Sequence, residues 1–206
     1  MKDVVYTIGH STHSMDKLIE LLARHEITAV ADVRSRPYSR FNPQFNRELI
    51  SLALKKAGVA YVFLGQELGA RSEDQRCYVD GKVQYDLLAQ TELFQSGMQR
   101  VIEGISKYRL ALMCAEKDPL VCHRAILVCR HLVARRVHVE HIREDGRLES
   151  HADALVRLLR ENGSQGPELF RSRDEMVEEA YSLRGEKIAY SAASPNEEEE
   201  MRGMGR

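Results

Sequence analysis

Two thiols, an imidazole, a carboxylate and a guanidinium fall within one short stretch of this chain, Cys114-Ala-Glu-Lys-Asp-Pro-Leu-Val-Cys-His-Arg124. A cysteine attacks as its thiolate, which a helix N-terminus and neighbouring cations favour. Cys114 has Lys117 and Arg124 nearby and a helical pattern following, so it is the candidate nucleophile. Its plain alternative is a small buried hydrophobe. His123 and His10 are candidate general acids or bases because imidazole titrates near neutrality, and each could equally be a structural hydrogen-bonder. Glu116, beside Cys114, can exchange a proton or orient Arg124.

Arginines form the second theme. Arg34, Arg36, Arg40, Arg71 and Arg124 suit two-point binding of phosphate or carboxylate. Ser11 and Asp32, at the ends of the first and second expected strands, complete the candidate anion or substrate site. Arg34 and Arg124 are expected to share one anion. Tyr38 and Phe41, interleaved with the arginines, could instead stack a base or grip single-stranded nucleic acid. The plain reading of that loop is a solvated segment paired to Glu48 or Asp32.

No metal and no cofactor is expected. Asp118-Pro119 reads as an N-cap and first helical residue. A helix from there would turn Cys122 and His123 about 100° apart and place Cys122 on a core stripe with Ile126, Cys129 and Val133. Paired Cys-x-x-Cys and His-Glu-x-x-His spacings are missing. Were a metal held, Cys114, Cys122 and His10 would hold it, giving a metal or redox site on the two thiols. Neither Cys114 nor Cys122 is followed six positions later by arginine, as a phosphatase-type Cys-x5-Arg loop requires, and a Gly-x-x-x-x-Gly-Lys phosphate loop, a Gly-x-Gly-x-x-Gly turn and a Gly-x-Ser-x-Gly elbow are absent.

The elements that must position these groups follow from periodicity. Apolar runs at 4–8, 28–33, 59–64, 110–114 and 137–142 read as buried strands. Helical spacing separates them, with Ser14 as a cap and Gly58 ending a helix over 46–57. Residues 70–84 carry no clean period and read as a long loop or lid. Strands alternating with helices predict an α/β fold: a largely parallel, roughly five-stranded sheet with helices on both faces, Rossmann-like and three-layered. Ligands of such sheets bind beyond the carboxyl ends of the strands, where Gly9-His10-Ser11, Asp32-Val-Arg34, Gly65–Gly69 and Cys114-x-Glu116 all fall. Residues 1–162 form the expected site-bearing domain, 163–190 a C-terminal helical extension docked on it, and 191–206 a disordered acidic tail containing Glu197–Glu200.

Thr7-Ile-Gly-His-Ser11, Asp32-Val-Arg34 with Pro37 and Ser39-Arg40, Leu64 with Leu68-Gly69, and Cys114-x-Glu116-x-x-Pro119-x-x-Cys122-His-Arg124 together resemble the prokaryotic family catalogued as domain of unknown function 488. The resemblance runs from about residue 4 to about residue 190 and includes Gly185-Glu-Lys-Ile-Ala-Tyr190. Gly69-Ala70 departs from an expected Gly-Gly pair. The resemblance implies the fold and the location of the site, and its family name implies no reaction.

The chain of 206 residues, with a formal net charge of −1 and 43% hydrophobic residues, fits one domain with an appendage. It shows no transmembrane-length run and no signal peptide, so a cytoplasmic protein with reduced thiols is expected. The leading functional expectation is an enzyme, a cysteine-dependent hydrolase or transferase, that binds a small anionic or nucleotide-like substrate. A nucleic-acid-binding or nucleic-acid-processing module is the alternative.

Overall fold

A computed structural model describes residues 4–162 and 171–192. The strands are β1 (Val4–Gly9), β2 (Ala29–Asp32), β3 (Ala60–Phe63), β4 (Tyr78–Val79), β5 (Lys82–Val83), β6 (Leu110–Cys114), β7 (His138–Ile142) and β8 (Leu148–Ser150). The helices are α1 (Met15–Arg24), α2 (Arg47–Lys56), α3 (Gly65–Leu68), α4 (Tyr85–Ala89), α5 (Glu92–Ile105), α6 (Arg130–Ala134), α7 (His151–Glu161) and α8 (Arg173–Ile188). Six strands make one sheet in the order β3-β2-β6-β1-β7-β8. The first five are parallel, and β8 pairs antiparallel with β7.

Side chains alternate across each strand, so each strand feeds two cores. Val5, Ala29, Ala31, Leu110 and Leu112 face the core built with α5, α6, α7 and α8. Tyr6, Ile8, Val30, Ala111 and Met113 face the core built with α1 and α2. A strand buried on both faces has no polar side to show. That is why β1, β2 and β6 read as unbroken apolar runs in the sequence.

Register brings the strand ends level: Gly9 lies opposite Cys114, and Asp32 opposite both Met113 and Phe63. The chain leaves β1 and β2 towards the α1–α2 face, whereas it leaves β6 towards the opposite face. The end of β6 is therefore flanked by two points where the connections diverge, the position at which open α/β sheets form a crevice. Gly9 keeps that crevice tight, since a Cβ there would lie 1.9 Å from the carbonyl oxygen of Glu116.

Two differences from the sequence reading have local causes. The sixth strand, β8, follows the turn at Gly146 (φ +80°) but has three residues, too few to show a period. Residues 70–84 are not a featureless loop. They hold the hairpin β4–β5, whose outer edge is bridged by the segment after α8: the Val83 N–H donates to the Tyr190 carbonyl at 2.9 Å. His141, on β7, and His151, at the start of α7, are buried in a chain that runs from Thr7 Oγ1 through both rings to the Tyr181 hydroxyl, with links of 2.8, 3.0 and 2.7 Å. Helix α8 starts from a Ser172–Glu175 capping box and buries Ala180 and Tyr181. The acidic run 197–200 lies outside the described residues. Among those described, no helix is long and apolar enough to cross a membrane.

Candidate functional site

The geometry of the site follows from a helix that does not start where its sequence signals say. Asp118 caps as expected, its carboxylate accepting the Leu120 N–H at 2.9 Å, and Pro119 opens the turn. That turn is only the 3₁₀ segment Pro119–Val121. Cys122 is then extended (φ −135°, ψ 137°), and helical backbone resumes at His123. Residues Arg124–Cys129 form a π-helical stretch, with the Arg130 N–H reaching the Ala125 carbonyl, before α6 begins. Such widened turns recur at functional sites. The extended Cys122 removes the angular separation a continuous helix would impose. Cys114 Sγ, Cys122 Sγ and a His123 ring nitrogen consequently lie within 4.8 Å of one another, all buried.

His123 is oriented by a partner on β2's exit. Its Nε2 lies 3.0 Å from the Val33 carbonyl. A carbonyl only accepts, so Nε2 carries the proton and Nδ1 is turned to the sulfurs, 3.8 Å from Cys114 and 4.0 Å from Cys122. Glu116 Oε2 is 3.2 Å from Cys114 Sγ. Burial opposes ionisation of Cys122, but the hydrogen bond from Cys114, the Arg124 guanidinium and His123 bring its thiol well below the usual range. Cys114 moves the other way, through its contact with Cys122 and its own burial. Burial would discharge His123, yet the Cys122 sulfur raises its pKa. Burial and the same sulfur raise Glu116, favouring its protonated form. The sequence reading placed the thiolate on Cys114. The electrostatics of the cluster favour ionisation at Cys122, eight residues along, over Cys114.

A cavity of about 330 Å³ opens over this cluster. Its floor includes Cys114, Glu116, Cys122 and His123, and its wall includes Arg34, Arg36 and Arg71. Arg71 lies over the Tyr190 ring at 4.0 Å. Tyr190 and Tyr85 also line the cavity, and neither was assigned a role from sequence. Tyr190 had a signal in Gly185–Tyr190. Tyr85 had none, since a tyrosine opening a short helix looks like any core aromatic. Ser35, Arg36 and Arg71 are shared between this cavity and an adjoining groove of about 1000 Å³.

The remaining candidates are sorted by their partners. Arg34 is buried against Asp32, its Nε on Oδ1 at 2.9 Å and its NH2 on Oδ2 at 2.6 Å, and it donates through NH1 to His10 Nε2 at 3.1 Å. Asp32 also accepts the Tyr61 hydroxyl at 2.8 Å. His10, stacked on Phe45 with centroids 4.3 Å apart, is pushed down to about 4 by burial and by Arg34. It is a neutral acceptor that positions Arg34, and it lies off the cavity wall. Ser11 (φ 49°) engages the loop after β6 through its backbone N–H, 2.8 Å from the Ala115 carbonyl. Arg124, 1% exposed, donates to the Glu116 carbonyl at 2.6 Å, the Lys117 carbonyl at 3.3 Å and Thr7 Oγ1 at 3.4 Å. It braces the loop from beneath, so Arg34 and Arg124 do not converge on one anion. Arg40 lies 4.8 Å over Phe41, on the loop outside the cavity.

The family model for the domain of unknown function DUF488 matches residues 14–130, more than half of the chain and including the whole of Cys114–Arg124. The opening Thr7–Ser11 and the closing Gly185–Tyr190 fall outside the matched segment. No curated protein and no solved structure matches the chain.

Proposed function

Since the chain belongs to the DUF488 family, whose name assigns no reaction, we propose from the site itself that it is an enzyme acting on a small anionic, nucleotide-like molecule. The observation that carries this reading is one cavity whose floor is the Cys114–Cys122–His123–Glu116 cluster and whose wall holds Arg34, Arg36 and Arg71. Arg36, exposed at the mouth, and Arg71 would take the anion. Arg34, fixed by Asp32 and His10, adds positive potential that needs no reorganisation when substrate enters. Tyr85 and Tyr190 offer flat apolar surface for a ring. The floor supplies an electron-rich sulfur beside two groups whose raised pKa values favour holding a proton, His123 and Glu116. That combination suits attack on an electrophilic centre with proton delivery to a leaving group.

Thermal denaturation with adenosine monophosphate or inorganic phosphate tests the reading. A ligand at about 100 times its Kd stabilises by about 2.7 kcal/mol, which for a chain of this size raises Tm by about 5–11 °C. The shift should be lost in Arg36→Ala and kept in Arg40→Ala. No shift with either probe, or the reverse pattern, contradicts it.

The loop after β2 supports a second reading. Phe41 and Tyr38 are 73% and 57% exposed, and Arg40 lies over Phe41. Arginines among exposed aromatics are the surface on which single-stranded bases stack. A salt-dependent affinity for oligonucleotides, lost in Phe41→Ala and absent with mononucleotides, would favour a nucleic-acid module.

A further inference from the structure

We infer that Cys114 Sγ, Cys122 Sγ and His123 Nδ1 form a three-ligand site for a thiophilic divalent cation of the zinc class, with its fourth position open to the cavity beside Glu116. Ligands of a tetrahedral zinc at ordinary Zn–S and Zn–N lengths stand about 3.6 Å apart from sulfur to nitrogen. The two edges here are 3.8 and 4.0 Å, and all three ligand atoms fall within 4.8 Å. A histidine present only to accept an S–H bond would be expected to close on one thiol. Nδ1 instead stands nearly equidistant from both, as it would around a shared centre.

The outer contact agrees. Histidines that bind metals commonly donate their other ring N–H to a carbonyl or carboxylate, which fixes the tautomer and the ring plane. His123 does so with the Val33 carbonyl at 3.0 Å. That carbonyl leaves the end of β2, and Cys114 is the last residue of β6. Two ligand positions are thus set by hydrogen-bonded strands. The third, Cys122, is set by the extended residue that interrupts the helix. Two thiolates and one imidazole form a soft donor set that suits zinc over magnesium or calcium. A structural zinc site closes with four protein ligands, whereas a catalytic one keeps a position for water or substrate. Here the three ligands and Glu116 all line the cavity, so the open side faces the space where a substrate would sit. Glu116 Oε2, 3.2 Å from Cys114 Sγ, lines the same cavity as the three ligands.

This goes beyond the enzyme reading and names the form in which its cluster would work. With the cation bound, both sulfurs are ligands, and water in the fourth position replaces sulfur as the nucleophile. The arginine wall is unchanged. The two ideas also fail separately: the phosphate-dependent Tm shift, measured after chelation, reports the anion site whether or not metal binds.

The test uses the full chain purified under reducing conditions, reloaded with one equivalent of zinc or cobalt and desalted. The expected result is one zinc per chain by elemental analysis. In the cobalt form, visible bands of a tetrahedral thiolate site should appear, lost in Cys122→Ser and in His123→Ala and kept in Cys129→Ser. A second readout needs no variant. Zinc should protect both Cys114 and Cys122 from alkylation in the native protein, and chelation should restore labelling. Retention of no zinc by the wild-type chain, or cobalt bands that survive Cys122→Ser, would overturn the inference. So would equal labelling of Cys114 and Cys122 with and without zinc.

Discussion

Removal of the Asp32 carboxylate should cost more than any single hydrogen bond at the site, because it strands a buried cation. Asp32 is 0% exposed and holds Arg34 through its backbone N–H, its Nε and its NH2, while also accepting from Tyr61. Breaking a buried, hydrogen-bonded ion pair by deleting one partner costs about 3–5 kcal/mol, most of it from the uncompensated charge left behind. For Asp32→Ala this corresponds to a fall in Tm of about 6–20 °C. Tyr61→Phe removes one neutral donor from the same carboxylate and should cost only about 0.5–1.5 kcal/mol. The double variant Asp32→Ala/Arg34→Met deletes both charges and should recover much of the single-variant loss. Urea denaturation of the four proteins gives the comparison. The reasoning fails if the double variant is less stable than Asp32→Ala, or if Tyr61→Phe costs as much as Asp32→Ala.

Two further outcomes follow from other parts of the site. Burial would raise the Asp118 carboxyl, but bonds from Arg157, the Leu120 N–H and Arg143 hold it well below its ordinary 3.8. A carboxyl with a depressed native pKa gives stability that is present above the unfolded value and lost as pH falls through the native one. Stability should therefore drop below about pH 4, and Asp118→Asn should show a shallower acid limb in denaturation midpoints against pH. Gly9→Ala, whose Cβ would meet the Glu116 carbonyl, should cost about 1–3 kcal/mol by overpacking. It should also weaken phosphate-induced stabilisation, because Glu116 must move. An unchanged Tm and an unchanged phosphate response would count against that close approach.

How far the sequence reached is clearest at single residues. Strands β1, β2 and β6 were legible because central parallel strands show apolar side chains on both faces, while β3, at the sheet edge, and β7 were read from less uniform runs. The crevice was legible because His10, Arg34 and Cys114 each directly follow or end such a run. Helix signals at Asp118-Pro119 were also read correctly, yet they start one 3₁₀ turn. The extended Cys122 that follows that turn is a break that no local pattern encodes. Of the two sequence arguments against a Cys122–His123 pair of ligands, the one from a continuous helix lapses with that helix, and the one from missing paired-ligand spacings stands. Arg124 misled for a related reason. Its partners are backbone carbonyls and a threonine on β1, so nothing in its neighbourhood marked it as a buried brace. Its side chain looked like those of Arg36 and Arg71, which do line the cavity.

A crystal structure of the full chain grown with a saturating nucleoside monophosphate tests the central claim most directly. The account predicts ordered density in the cavity over Cys114, Cys122 and His123, with the phosphate on Arg36 or Arg71 and the base against Tyr85 or Tyr190. A well-ordered cavity holding no nucleotide, or a nucleotide bound only on the Arg40–Phe41 loop, would contradict it.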